Sequence, residues 1–424
     1  MRMGLHAMTS HHMDLVAHYY RTLRPPLFKT MVANAELIEA VKEASPYTKV
    51  IWRNYWADQP KDLSTYRHFR EETMHELQPI RHLVDYVEGW NEFGVKDDPR
   101  LANRFVDHEI RWAKDLMNAG IGAAIGGFST GHIDDNNEMF DALENMFEFC
   151  HVYGGKNPRV LFHSHEYAGP HMGFGFQTAD GKNQWPRGGT YTGTTPVSDA
   201  HLFWDPDGEG WLTVRYRKLL RRLKRHGYTN MRFAFTETGV DDTPPRPGGP
   251  DKRGWRDYRG TEWERGPLGD YANQQRWYGW QLAHDPEVFG WTSFGWADNT
   301  HDWESFDLSR DMEMYHRMIE EQAKLPVGHH HDPDPDPDPD PGPDPDPDPG
   351  PGPVSPRPEV WPAVRVRQGD GYYSIARRIY GEENLQATAH RLMDANNGVQ
   401  LRPGDVLYAP GYVVIRFSNA DGVL

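Results

Sequence analysis

A single cysteine, Cys150, leaves no partner for an intramolecular disulfide; its expected place is inside a packed helix. No apolar run is long enough to cross a bilayer. No signal-peptide pattern precedes the first expected strand, which begins at Met3, so the expectation is synthesis in the cytoplasm. Basic charge is in short supply. Lys and Arg number 46 against 62 Asp and Glu, for a formal net charge of −16, and nothing in that balance suggests a nucleic-acid partner. The one basic stretch, residues 215–225, is amphipathic and reads as the solvated face of an outer helix. Half of the net acidity is local, because the eight Asp residues at alternate positions in 332–340 and 344–348 carry eight charges. The folded parts are therefore only mildly acidic.

Those Asp residues belong to an Asp-Pro alternation spanning residues 332–356, with a few Gly-Pro steps. Proline removes a backbone donor and fixes φ, so neither helix nor sheet forms there. Repeated negative charge keeps the chain solvated. At about 3.1 Å per residue in polyproline-II geometry, the segment reaches on the order of 70–80 Å. It predicts a semi-rigid spacer over residues 326–360, dividing the chain into a large module at 1–325 and a small one at 361–412, with a tail at 413–424. No metal or other cofactor is expected. The spacer carboxylates have no loop to gather them round an ion, and His329–His331 read as its polar start.

The large module shows a strand–helix rhythm. Short apolar or β-branched runs occur near 3–8, 27–33, 48–55, 84–92, 120–128, 158–167, 231–237 and 288–296. Helical stretches separate most of them, at 35–44, 99–119, 136–151, 211–226 and 271–284. Alternating strands and helices imply a parallel sheet. Eight units predict a closed (β/α)8 TIM barrel whose site lies at the carboxyl ends of the strands.

Two glutamates end such runs, Glu92 in Glu88-Gly-Trp-Asn-Glu92 and Glu237 in Thr236-Glu237-Thr-Gly239. A pair of carboxyls across a cleft is the minimum equipment for cleaving a glycosidic bond. Taken on the fourth and seventh strands, these motifs resemble those of the clan A glycoside hydrolases, which act with retention. The resemblance covers residues 3 to about 320. It implies Glu92 as acid/base, Glu237 as nucleophile, and Asn91 as a ligand of the sugar 2-substituent. His165-Glu166-Tyr167 is similar to the His-x-Tyr of several member families, where the Tyr bonds the nucleophile. Gly290–Trp296 resembles the eighth strand, with Trp296 flooring the cleavage subsite. Trp90 and Arg53 complete the expected substrate-binding set. Glu88 reads as a deeper acid, a buried partner for Lys29 or Arg53, and Glu166 as a solvated loop acid beside the cleft. The chain has 15 Trp and 20 Tyr, and Trp52, Trp56, Trp185, Trp204 and Trp303 fall near strand ends or in the loops after them, where rings can stack on sugars.

The small module reads strand, helix, helix, strand. Gly369-Asp370, Ser374-Ile-Ala376, Leu392, Asn396-Asn397 and Leu401-Arg-Pro-Gly-Asp405 with Leu407 and Pro410 resemble the LysM domain, a small α+β (βααβ) module. The resemblance implies binding of N-acetylglucosamine polymers through Gly369, Asp370, Gly371, Tyr372, Asn397, Arg402 and Pro403. Gly371 stands where the family usually has Thr. The implied whole is a monomeric hydrolase of peptidoglycan with a wall-binding module, laid out like a phage endolysin or virion component that acts at the cell wall. The alternatives are a hydrolase of another β-glycan (glucan, mannan, chitin or chitosan) and a non-catalytic wall-binding protein.

Overall fold

The computed structural model describes residues 1–55, 63–95, 98–131, 133, 137–182, 184, 205, 207–241, 254–261, 268–299, 302–326, 363–365, 375 and 406–408. The chain divides into two compact units, Met1–His330 and His331–Leu424.

The first unit is a closed parallel barrel. Its strands are β1 (Gly4–Ala7), β2 (Leu27–Thr30), β3 (Lys49–Trp52), β4 (Tyr86–Glu88), β5 (Gly122–Phe128), β6 (Val160–Ala168), β7 (Phe233–Val240) and β8 (Val288–Trp296). Each pairs with its sequence neighbour, and β8 returns to β1. The helices α1 (Met13–Leu23), α2 (Ala35–Ala44), α3 (Tyr66–Leu77), α4 (Pro99–Asn118), α5 (Asn137–Val152), α6 (Tyr216–Arg225), α7 (Tyr271–Ala283) and α8 (Met312–Ala323) follow the strands in turn. This is the (β/α)8 architecture expected from the rhythm. Among the described residues, no helix is long and apolar enough to cross a membrane.

Local chemistry explains where the helices begin. Asp98 caps α4 through Leu101 N, with Pro99 in the first turn, where its missing N–H costs nothing. Asn34, Asp270 and Asp311 cap α2, α7 and α8 in the same way. Along α4 the buried positions Ala102, Phe105, Val106, Glu109, Ile110, Trp112, Ala113, Leu116 and Met117 form one stripe, the helical period that turns a single face to the sheet. Cys150 is buried in α5, as expected.

The barrel interior is layered. Leu27, Ile51, Tyr86, Ala124, Leu161, Ala234 and Phe289, one from each of β2 to β8, pack together as an apolar plug. Strand side chains alternate faces, so the next inward residue lies two positions on. On β2, β3, β4, β6 and β7 that residue is Lys29, Arg53, Glu88, His163 and Thr236. A polar layer therefore sits directly above the plug, at the carboxyl ends of the strands.

In the second unit, β9 (Ala363–Arg365) pairs antiparallel with β10 (Val406–Tyr408). Both fall in the two runs read as the strands of the small module. Ile375, in the run read as its first helix, is helical and buried. The expected glycan-binding positions Gly369, Asp370, Gly371, Tyr372, Asn397, Arg402 and Pro403 lie outside the described residues, as do the Asp-Pro segment, Trp56, Trp185 and Trp204.

Candidate active site

The polar layer is an ion-pair network built from the ends of six strands. Lys29 Nζ lies 2.8 Å from Glu88 Oε2 and 3.0 Å from Glu237 Oε1. Arg53 Nη1 donates to the same Glu237 oxygen at 2.8 Å and also to Asn91 Oδ1. Tyr167 donates its hydroxyl to Glu237 Oε2 at 2.9 Å. His6 Nδ1 stands 3.8 Å from Oε1. Glu88 is thus the buried partner of Lys29 that its depth on the strand predicts.

Burial alone raises a carboxyl's pKa. Around Glu237, electrostatic interactions with His165, Lys29, Arg53 and His6 overcome that, and its pKa lies well below the ordinary value. Glu88 behaves alike: burial pushes it up, and Lys29, His163 and Arg53 pull it further down. The neighbouring imidazoles are also lowered, but by burial itself, which keeps them neutral. Burial, helped by Lys29, drives His6 well below its usual range, and burial takes His163 down to about 3. The network holds two cations, two carboxylates and two neutral rings.

Glu92 lies beyond this layer. Its strand ends at Glu88, four residues earlier than the apolar run suggests. The turn that follows brings Glu92 to a left-handed backbone at φ 45°, which costs an L-residue about 1–2 kcal/mol. Its amide donates to Gly127 O at 2.8 Å, and its side chain keeps 34% of its exposure, against 8% for Glu237. His165 stands between the two glutamates. Its Nδ1 is 2.7 Å from Glu92 Oε1 and 3.5 Å from Glu237 Oε2. Ligand atoms of Glu92, His165 and Glu237 all fall within 4.8 Å of one another. The two carboxyls thus face one space. Their approach is close to the roughly 5–5.5 Å of retaining glycosidases and shorter than the roughly 6.5–9.5 Å of inverting ones.

Of the expected residues, Glu92, Glu237, Arg53, Asn91, His165 and Tyr167 come together here. Two do not. Trp296 is fully buried, its ring 5.6 Å from that of Tyr315 in α8 and its Nε1 on His11 O. The cause is Gly295, whose φ of +91° breaks the strand alternation. Phe294 faces the network instead, 5.2 Å from the His6 ring and 6.1 Å from the Tyr167 ring, with half-buried Trp303 packed on it at 5.1 Å. Trp90 is likewise core, stacked on Tyr66 at 5.5 Å and packed on Phe69 at 5.0 Å. Trp52 is buried as well.

Glu166 is also corrected. It is not a solvated loop acid but an outward-facing residue of β6, buried against the start of α6. Its carboxyl accepts from Val214 N, Tyr216 N and the Tyr278 hydroxyl, and burial raises its pKa to about 7. The alternation of β6, with 163, 165 and 167 inward, carried that signal. The same count along β1 and β2 finds His6, which was not expected in the site, and Lys29, which was expected only as a partner of Glu88.

Ligand atoms of Glu88, His163 and His165 also lie within 4.8 Å of one another. Lys29 and Arg53 already meet one carboxylate of each cluster, Glu88 and Glu237, and their charges oppose a divalent ion.

No family model matches the chain, and no curated protein matches its sequence. Similarity appears among solved structures. A family 39 glycoside hydrolase from Bacteroides cellulosilyticus WH2 aligns at 11% identity and a TM-score of 0.41, over 72% of this chain and 59% of its own. An endo-1,4-β-D-mannanase from Thermotoga petrophila RKU-1 aligns at 13% identity and 0.42, over 76% of this chain and 99% of its own. A GH128 endo-β-1,3-glucanase from Sorangium cellulosum aligns at 15% identity and 0.39, over 78% of this chain and 100% of its own. The chain thus spans about three-fifths of the first of these. Its assignment as a (β/α)8 barrel rests on its own strand pairing.

Proposed function

We propose that the barrel is a retaining hydrolase of β-linked polysaccharide. The observation that carries this reading is the approach of Glu92 and Glu237, a carboxyl oxygen of each lying within 4.8 Å with His165 between them, with Glu237 held ionised by Lys29 and Arg53. Glu237 Oε1 is occupied by both cations, so Oε2 is the attacking atom. Attack on the anomeric carbon forms a glycosyl ester while Glu92 gives its proton to the leaving oxygen. Glu92 then takes a proton from water, which cleaves the ester and restores both groups. Arg53 holds the Asn91 carbonyl, which presents the amide N–H2 as a donor to the sugar 2-position.

Neutral β-glucans and β-mannans are the favoured substrates. The described cations of the network, Lys29 and Arg53, are engaged by Glu88 and Glu237, which leaves them unsuited to receive the carboxylates of peptidoglycan. Peptidoglycan is the second reading, and it rests on the small module at 361–412, which we propose as a LysM-type tether acting at the cell wall. Incubation with β-1,4-mannan, β-1,3-glucan and peptidoglycan, with anomers followed by NMR, tests both. Release of the β-anomer first from a neutral polymer is expected. The α-anomer first would exclude retention, and no turnover of any of the three would leave a binding protein. Comparing the full chain with residues 1–326 in pull-downs on chitin and peptidoglycan tests the tether.

A further inference from the structure

Glu109 lies on α4, outside the barrel wall, and is fully buried. Its Oε1 accepts from Trp90 N at 3.3 Å and its Oε2 from Gly126 N at 3.1 Å. These amides belong to two different segments, the turn after β4 and the bulged end of β5. The same two segments are tied to each other by Glu92 N on Gly127 O at 2.8 Å and by Gly89 N on Ala124 O at 3.2 Å. Three glycines make the junction possible. A Cβ on Gly89 would stand 2.4 Å from Glu109 Oε1, and one on Gly127 would stand 2.5 Å from Trp90 O. Gly126 and Gly127 also take φ of +111° and +56°, a region closed to most side chains. A buried carboxyl is an expensive way to satisfy two amides, yet one side chain with two divergent acceptors is what joins donors on separate strands.

We propose that Glu109 is a positioning residue for Glu92: by holding the Trp90 and Gly126 amides, it fixes the turn that sets the Glu92 carboxyl against His165 and Glu237. The inference rests on the reading of Glu92 as the acid/base. Glu109 touches no substrate and acts only through the backbone two residues ahead of Glu92. Gln in its place keeps the shape but offers one acceptor instead of two, so one strand end is released. A displacement of about 1 Å at a reacting group costs on the order of 100-fold in rate.

The test is a double-mutant cycle in the full chain, on the natural polymer and on an aryl glycoside of the same sugar with a good leaving group. Glu109→Gln is expected to lower kcat on the polymer about 10- to 100-fold with KM unchanged, and to lower it less on the aryl glycoside. In a Glu92→Gln background the same change is expected to have almost no further effect, because a residue that acts through Glu92 has nothing left to position. Glu109→Asp, which keeps the charge and withdraws it by one methylene, serves as the second variant. Full activity of either folded variant overturns the proposal. So does a loss that persists undiminished in the Glu92→Gln background, or loss of the folded barrel in both variants, which would assign Glu109 to stability alone. Full activity of Glu92→Gln by itself would instead defeat the acid/base reading, so the two failures are told apart.

Discussion

Among the buried carboxyls of the barrel, Glu88 and Glu237 inside the wall and Glu109 and Glu166 outside it are compensated in two different ways. Inside the wall, Glu88 and Glu237 meet Lys29 and Arg53 and lie far below the usual carboxylate range. Outside it, Glu109 and Glu166 meet backbone amides and, for Glu166, a tyrosine hydroxyl. Burial raises both to about 7. A cation cancels charge, so the inner pair stays ionised and available for chemistry. Amides and hydroxyls only satisfy lone pairs, so the outer pair holds backbone in place and is half-protonated near neutrality. Burial by itself therefore says little about what a carboxyl does; its partners decide.

The largest effect expected from breaking this contrast is on turnover. Glu237→Gln should lower kcat on polymer by on the order of 10⁴-fold or more, since no covalent intermediate can form. Glu92→Gln should lose about 10²–10⁴-fold, with substantial recovery on substrates whose leaving groups need no proton. Equal behaviour of the two variants across leaving groups would contradict the division of roles.

Next in size is Lys29→Met, which takes one cation from two buried carboxylates at once. A loss of about 3–5 kcal/mol in urea unfolding is expected, together with a rise in the pH at which Glu237 ionises. A stability change below about 1 kcal/mol would show that water replaces the cation, and that the inner layer is wetter than its contacts indicate.

Glu166→Gln probes the outer layer. The amide keeps one acceptor of two, so about 1–3 kcal/mol of stability should go, while kcat on a small aryl glycoside stays within twofold. A large kcat loss would extend the positioning role proposed for Glu109 to the second outer carboxyl.

The two layers also oppose each other in their dependence on pH. Unfolded carboxyls take up protons below about 4.5, and folded Glu88 and Glu237 do not, so their contribution is present above that pH and is lost as pH falls. Buried neutral His6 and His163 add loss as pH falls below about 6.5, His163 down to about 3. Glu109 and Glu166 act the other way, since between about pH 4.5 and 7 the unfolded chain releases protons that the folded one retains, which lowers stability as pH rises. Urea midpoints should therefore change less between pH 5 and 7, where the two sets oppose each other, than below 4.5, where they drop steeply. Glu109→Gln should tilt the upper part so that stability rises with pH there. A wild-type midpoint that holds steady to pH 3 would contradict the ionised inner pair.

The smallest effect concerns the aromatic beside the carboxyls. Phe294→Leu should raise KM roughly 3- to 10-fold with kcat little changed, whereas Trp296→Phe should change stability and leave KM alone. The reverse pattern would return the platform to Trp296.

Much of the barrel was legible in the chain because strand and helix periods are local. The runs at 27–33, 158–167 and 288–296 and the helix at 99–119 fall within a few residues of β2, β6, β8 and α4. Glu92, Glu237, His165 and Tyr167 were legible because a parallel barrel brings all its carboxyl strand ends to one rim. Other placements depended on small departures from regularity. Gly295 reverses one strand position and exchanges Trp296 for Phe294. The early end of β4 turns Trp90 into the core. Glu166 follows the alternation of β6 outward, where the start of α6 buries it.

The order of elements and the identity of the two rim glutamates were set by the sequence alone, since each depends on neighbours in the chain. Only the tertiary structure decided which charge meets which. Lys29 and Glu237 are 208 residues apart in sequence, and the pairing that keeps Glu237 ionised exists because closing the barrel brings β2 and β7 to face across one apolar plug.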